Sequence, residues 1–454
     1  MSLVPDVGAA SGREALPGLA SAEFAGRRRQ LMDMAGGDAV LLLAAAPERM
    51  RNADAAWPYR QDSDFHYLTR WPEPAAVLAL LPGRRHGEAV MFCRERDPEH
   101  ERWHGESVGT ERAVTEYGMD DAFPIEDIDD ILPGMIEGRA RVYCHFGREP
   151  EFDAQLLGWM RRLRQLRGGG VVPKEFAALG HLLHDLRLYK SRGELKLMRA
   201  AAAIAVEAHR AAWLMARGGV REFEVEAELL RMIRRHGAVA SFVPTVAAGA
   251  NACVMHHRAS RAPLREGDLL LIDAGAEMDG YASDISRTVP VSGRYSAEQR
   301  ALYEVVLAAQ QAAIAMVRPG QPFNAAHAAA VRMLSEGLCQ LGLLEGNADT
   351  AVASGSYRRF FPAKTGHWLG LDVHDVGDYR VGGESRLLEP GMVLTVEPGL
   401  YVPSDDVSVA GRWRGIGIRI EDDVAVTRDG NEVLSAGLPR EADEIESLLA
   451  MRRS

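Results

Sequence analysis

The stretch LLLIDAGAEMDGYASDISRT, residues 269–288, begins as a buried strand and then breaks its own pattern. Leu269, Leu270, Leu271 and Ile272 form a continuous apolar run, which Asp273 ends. Asp279-Gly280 is a hairpin-turn dipeptide, and a second carboxylate, Asp284, follows on the return strand. With Asp279-Gly280 as a two-residue loop, position 284 faces 275 and lies diagonal to 273. With the loop at Met278-Asp279, positions 273 and 284 stand directly opposite. Either register puts both carboxylates on one face, within roughly 4.5–8 Å. Two anions so close in an apolar sheet repel unless a cation lies between them or one is protonated. A solvated sheet end would account for this pair taken alone.

Three later stretches argue against that simpler reading. GHWLGLDVHDVG (366–377) sets His367 and His374 among apolar residues and glycines, where something can approach the backbone closely. MVLTVEPG (392–399) ends an apolar strand in Glu397, with Pro398-Gly399 closing it. In GIGIRIEDDVAV (415–426), Ile416, Ile418 and Ile420 share one face while Gly417, Arg419 and Glu421 share the other. Two Asp, two Glu and one His suit a pair of hard divalent ions, and the oxygen-rich set favours Mn²⁺ over Zn²⁺ or Co²⁺. Two ions about 3.5–4 Å apart would hold a bridging hydroxide as nucleophile and polarise a carbonyl. The residues themselves therefore point to a dinuclear hydrolase.

The rest of the chain sets the context. Its 454 residues suffice for two or three domains, and 47% apolar with 26% charged residues is an ordinary globular balance. A formal charge of −11 argues against nucleic acid and anionic membrane surfaces as partners. Cys93, Cys144, Cys253 and Cys339 are widely spaced, which fits reduced thiols in a cytoplasmic protein. No apolar run approaches the length of a membrane span. The first residues lack the basic and apolar regions of a secretory signal, and residues 1–22 read as a loose Gly/Ala/Pro arm.

Residues 23–185 read as an α/β domain, with strands at 39–46, 75–83, 88–93 and 140–146 and a helix over 152–167. RGGG (167–170) reads as a hinge, and 173–189 as a helix bridging two domains. Residues 186–454 read as the second domain. It opens with a capping box, Ser191 and Glu194, ahead of a long Ala-rich helix reaching about Arg217. A second helix is expected over 222–237, then β-rich sequence with a helical insert over about 297–344. His66, His104 and His145 read as surface groups, and Asp372 and Asp375 as residues that orient backbone beside His374.

The five positions Asp273, Asp284, His367, Glu397 and Glu421, with the runs LIDAG, SDISRT, VLTVEPGLY and GIGIRIEDD around them, carry a resemblance to the pita-bread metallopeptidases. That family includes methionine aminopeptidase, prolidase, creatinase and aminopeptidase P. The five residues match its metal ligands in order, which disfavours creatinase. YRQDSDFHYLTRWPEPAAVLALLPG (59–83) resembles the amino-terminal domain of bacterial Xaa-Pro aminopeptidases, so the likeness runs almost end to end.

The resemblance implies an α/β (α+β) chain, with a creatinase-like α/β domain followed by a curved antiparallel sheet covered by helices. It implies peptide substrates with proline in second position, cleaved before that proline by a metal-bridging hydroxide. Glu397 would be ligand and proton shuttle, while His256 and His374 would hydrogen-bond the substrate and the tetrahedral intermediate. Arg419 matches an arginine near the metals, and Trp103 a tryptophan that enters a neighbouring subunit's site. A homo-oligomer, dimer or tetramer, is implied as well.

The pattern departs from the family at several positions. Ala363 stands where a substrate-side histidine is expected and Lys364 where glycine is; the lysine could recruit a carboxylate. Phe242 replaces a tyrosine that supports a metal carboxylate, and Ala250 and His257 replace a glutamate and a tyrosine. Prolidases share such an amino-terminal domain, so a prolidase-type dipeptidase stands beside the aminopeptidase, and the changes at Ala363 and Phe242 add a third reading, a metal-binding or peptide-binding protein with little or no turnover.

Overall fold

The computed structural model describes residues 18–166 and 170–451. The expected arm through residue 17 and Arg167–Gly169 of the expected hinge lie outside the described residues.

The N-terminal part is built on a six-stranded mixed sheet. The strand Ala39–Ala44 pairs antiparallel with Val77–Leu80 on one side and parallel with Arg141–Cys144 on the other. Its residues are apolar on both faces because both are covered. Val40 and Leu42 pack with Leu132, Leu156 and Trp159 of the helices Ile128–Ile136 and Pro150–Gln165. Leu41 and Leu43 face the other way, into a core that continues into the C-terminal half.

One expected element differs. Within 173–189, the expected helix begins only at Gly180, and Glu175–Ala178 is an edge strand parallel to Arg141–Cys144. Pairing with an open sheet edge overrode the helical spacing of the leucines, a tertiary effect that periodicity does not register.

In the C-terminal half the capping box forms as expected. Ser191 Oγ accepts from Glu194 N–H, Glu194 accepts from Ser191 N–H, and the helix Arg192–Met215 follows. Glu222–Arg235, Ala297–Met316 and Asn324–Gln340 supply the other main helices. They cover antiparallel strand pairs, among them Thr245–Ala248 with Leu269–Ala274, Leu269–Ala274 with Ile285–Pro290, and Val393–Val396 with Asp422–Val426.

A buried ionic network ties the two halves together. Arg187, 2% exposed, reaches Asp64 at 2.7 Å, Asp372 at 2.8 Å and Asp375 at 2.5 Å, and Lys190 meets Asp375 at 2.9 Å. His145 and His184 both lie beside Asp64, at 3.0 and 3.1 Å, so His145 is not a free surface group. Neither is His66, whose Nε2 meets the Asp279 carbonyl at 3.2 Å. Asp372 and Asp375 thus orient the His374 segment, as expected, through partners far away in the sequence.

Candidate active site

The hairpin settles in the first of its two registers. Glu277 pairs with Ala282 and Met278 with Tyr281, leaving Asp279-Gly280 as the loop, both with positive φ. Farther out Asp273 pairs with Ser286, which makes Asp284 diagonal to Asp273. Between them the chain bends at Gly275, where a Cβ would lie 1.7 Å from the Ser283 carbonyl oxygen. Only glycine admits that approach.

The acidic residues share one structural position. Asp284, Glu397 and Glu421 each occupy a gap between consecutive strand segments, while Asp273 lies near the end of its strand. Such breaks let a side chain leave the regular pleat and aim inward. Backbone bonds then bring the pieces together. Thr395 N–H donates to the His367 carbonyl at 2.9 Å, Glu397 N–H to the Thr365 carbonyl at 2.8 Å, and Glu421 N–H to the Ser286 carbonyl at 3.0 Å.

The five residues converge. Asp284, His367 and Glu421 offer ligand atoms all within 4.8 Å of one another, a grouping able to hold a metal ion. His367 Nε2 lies 3.5 Å from Asp284 Oδ2 and 3.6 Å from Glu397 Oε1. Arg419 Nη2 donates to Asp273 Oδ2 at 2.6 Å, and Ser286 Oγ donates to Glu421 Oε2 at 2.7 Å. Asp273 Oδ1 and Asp284 Oδ1 are buried with no partner among the described residues. Buried carboxylate oxygens normally find a donor, and a divalent cation satisfies such oxygens directly. The donor set therefore fits metal.

The electrostatics agree. Burial, then the charge of Asp273, pushes Asp284 up to about 7. Burial raises Glu397, and burial with Asp284, Glu397 and Asp273 raises Glu421 well above the carboxylate range. Burial alone would lower His367, but hydrogen bonding and charge from Asp284, with Glu397, lift it to about 9. A cluster crowded with negative charge is one that a cation stabilises.

Around the cluster lies a cavity of about 860 Å³, whose lining includes His256, His367, His374 and Glu397. The His367 and His374 rings tilt together with centroids 4.1 Å apart. Burial, then His367 and His256, lowers the proton affinity of His374, which favours a neutral ring. Ala363 and Lys364 line the same cavity. Trp103 does not: it is 79% exposed on the short helix Pro98–His104.

Several residues essential to this arrangement escaped the sequence reading. Tyr401, buried, accepts from Arg419 Nη1 at 2.9 Å, while Arg419 Nε donates to Ser286 Oγ at 2.8 Å. The available signal was period-two spacing, since 397, 399 and 401 alternate along one extended segment. Asp423, whose place just after Glu421 already marks it as a turn or supporting residue, accepts from Asp284 N–H at 3.1 Å. Glu222 gathers the loop before His256, accepting from Ala248 N–H and Asn251 at 2.8 Å each and lying 2.9 Å from His257 Nε2. His257, one of the departures, is thus occupied in shaping the loop that carries His256.

Residues 196–428 match metallopeptidase family M24, and residues 24–143 match the aminopeptidase P N-terminal domain. The chain belongs to metallopeptidase family M24, and membership implies divalent metal ions. It is 40% identical over 434 residues to the Xaa-Pro aminopeptidase of Escherichia coli (strain K12), spanning 95% of this chain and 98% of that one. It is 36% identical over 444 residues to Xaa-Pro aminopeptidase 2 of Streptomyces coelicolor, spanning 94% and 91%. Among solved structures, Pseudomonas aeruginosa aminopeptidase PepP matches with a TM-score of 0.95 and 54% identity, over 96% of this chain and 99% of that one. The fold is accordingly an N-terminal α/β domain followed by a pita-bread domain.

Proposed function

We propose that this protein removes the N-terminal residue from peptides whose second residue is proline. The observation that carries the reading is the convergence of Asp273, Asp284, His367, Glu397 and Glu421, with two buried carboxylate oxygens lacking any partner among the described residues. The names of the relatives, Xaa-Pro aminopeptidases over nearly their whole length, supply the substrate.

In this reading the five residues hold two divalent ions. Four carboxylates to one imidazole favours Mn²⁺, with Zn²⁺ or Co²⁺ as substitutes. When bound, the ions supply the charge that makes water nucleophilic at neutral pH and polarises a carbonyl. Glu397, whose burial already raises its proton affinity, takes a proton from the attacking water and passes it to the departing amine. His256 and His374, facing the cavity, hydrogen-bond the scissile carbonyl oxygen as it gains charge. Arg419, fixed by Tyr401, Ser286 and Asp273, steadies the carboxylates and the oxyanion together.

Residues 23–185 and 186–454 serve as the two domains of this enzyme. We further take it to be cytoplasmic and a homo-oligomer, dimer or tetramer; the exposed Trp103 indole is consistent with a partner's contact. Among the described residues no helix is long and apolar enough to cross a membrane.

The test is incubation of the Mn²⁺-loaded protein with Xaa-Pro dipeptides and longer Xaa-Pro-Yaa peptides. Cleavage of the longer series supports the aminopeptidase, and cleavage of dipeptides alone supports the prolidase-type activity. Release from neither, with metal bound, would overturn both.

A further inference from the structure

The cavity beside Glu397 is lined by four imidazoles, and the chemistry above uses three: His256, His367 and His374. The fourth, His327, comes from the helix Asn324–Gln340, which supplies none of the residues given a chemical role above.

Its ring is set by its surroundings. Nδ1 lies 2.8 Å from Thr365 Oγ1. Thr365 is 2% exposed, and its carbonyl accepts the Glu397 N–H at 2.8 Å, so the ring is fastened to the segment that positions Glu397. Phe361 packs near the same ring, with centroids 6.1 Å apart. Ala363, between Phe361 and Thr365, offers no side-chain donor. Nε2 has no protein partner among the described residues, yet it is absent from the buried unpaired polar atoms, so it stays open to the cavity.

A tether for Thr365 would need Nδ1 alone. A ring with one nitrogen pinned and the other turned to open space presents a directional hydrogen bond, and the partner at one nitrogen sets the role of the other. Burial, then the nearby Arg358 and Lys364, lowers the ring's proton affinity, which favours the neutral form. The Thr365 hydroxyl can donate to Nδ1, and in that tautomer Nε2 carries the N–H and presents a donor to the cavity. Arg358 and Lys364 line the same cavity, so an oxygen acceptor is the group this wall favours.

We propose that His327 is a substrate-binding residue that donates its Nε2–H to a main-chain carbonyl oxygen of the bound peptide, with Thr365 holding the ring in place. This role rests on the cavity being the peptide's site, as under the proposed function.

The test uses the metal-loaded full chain with Xaa-Pro-Yaa peptides, comparing wild type, His327→Ala and His327→Gln. The Gln side chain keeps an N–H donor at about the reach of Nε2. For His327→Ala the expected result is KM raised about tenfold, the scale of one neutral hydrogen bond. Its kcat should stay within about twofold and its metal content should equal that of wild type, and His327→Gln should recover most of the loss. An active wild type with an unaffected His327→Ala overturns the role alone. Equal loss in both variants together with lost metal overturns it in favour of a structural tether. An inert wild type overturns the aminopeptidase reading and this role with it.

Discussion

Asp284→Asn should abolish activity and yet stabilise the metal-free protein at alkaline pH. Burial and the charge of Asp273 raise the Asp284 carboxyl to about 7 in the folded chain, against about 3.9 in an unfolded one. For an acid raised on folding, the native state holds the extra proton between those values. Stability therefore falls as pH climbs from about 4 to 7, and the full penalty remains above pH 7. Three pKa units at about 1.4 kcal/mol each set an upper value of about 4 kcal/mol, already net of the attraction to His367. Relaxation and water entry after chelation reduce this to ~1–3 kcal/mol. Urea unfolding of chelated wild type and variant, at pH 8 and again near pH 4, reads the difference directly. Asparagine should be ahead at pH 8, and its lead should shrink toward pH 4, where Asp284 approaches neutrality in both states. A variant less stable than wild type at pH 8, or equally advantaged at both pH values, would refute the claim that carboxylate repulsion is stored here.

Two further substitutions probe the support of the site. Arg187→Met leaves Asp64 and Asp375, 0% and 1% exposed at their side chains, without their shared guanidinium. It should destabilise the protein by ~3–5 kcal/mol, seen as a lower urea midpoint, whereas an unchanged midpoint would show that Lys190 and the histidines suffice. Tyr401→Phe removes only the hydroxyl that accepts from Arg419 and should lower kcat/KM or metal affinity about 10–100-fold with the fold intact. Undiminished turnover would mean that Asp273 and Ser286 orient Arg419 unaided.

The site's acids were legible because they violate a local rule. Asp273 and Glu397 terminate apolar runs where nothing local needs a charge, and glycine or proline marks the bend beside each. Asp279-Gly280 marked the hairpin, a turn whose chemistry is contained in two residues, but two registers stayed open until the pairing of Met278 with Tyr281 selected one. Residues whose role depends on a distant partner were not legible. Arg187 reads as one more cation on a helix until the fold places Asp64 on one side of it and Asp375 on the other. Tyr401 reads as strand filling until Arg419 arrives from the neighbouring strand. The strand Glu175–Ala178, which carries helical spacing, was not legible for the same reason, since a sheet edge far off in the sequence decides its conformation.

The departures from the family pattern acquire definite meanings in the folded chain. Phe242 removes a hydroxyl, but Arg419 still meets a phenol through Tyr401. His257 holds Glu222, which organises the loop before His256. Ala363 lines the same cavity as His327 and leaves it without a side-chain donor at that position. These changes, like those at Lys364 and Ala250, lie outside the five converging residues.

The central claim is that those five residues form one dinuclear metal site that cleaves before proline. Titrating the metal-free protein with Mn²⁺, while following bound metal by elemental analysis and release of the first residue from an Xaa-Pro-Yaa peptide, tests it most directly. The account predicts saturation at two ions per chain, with activity rising as they bind and both lost in Asp284→Asn. Full activity without bound metal, or unchanged metal content in that variant, would contradict it.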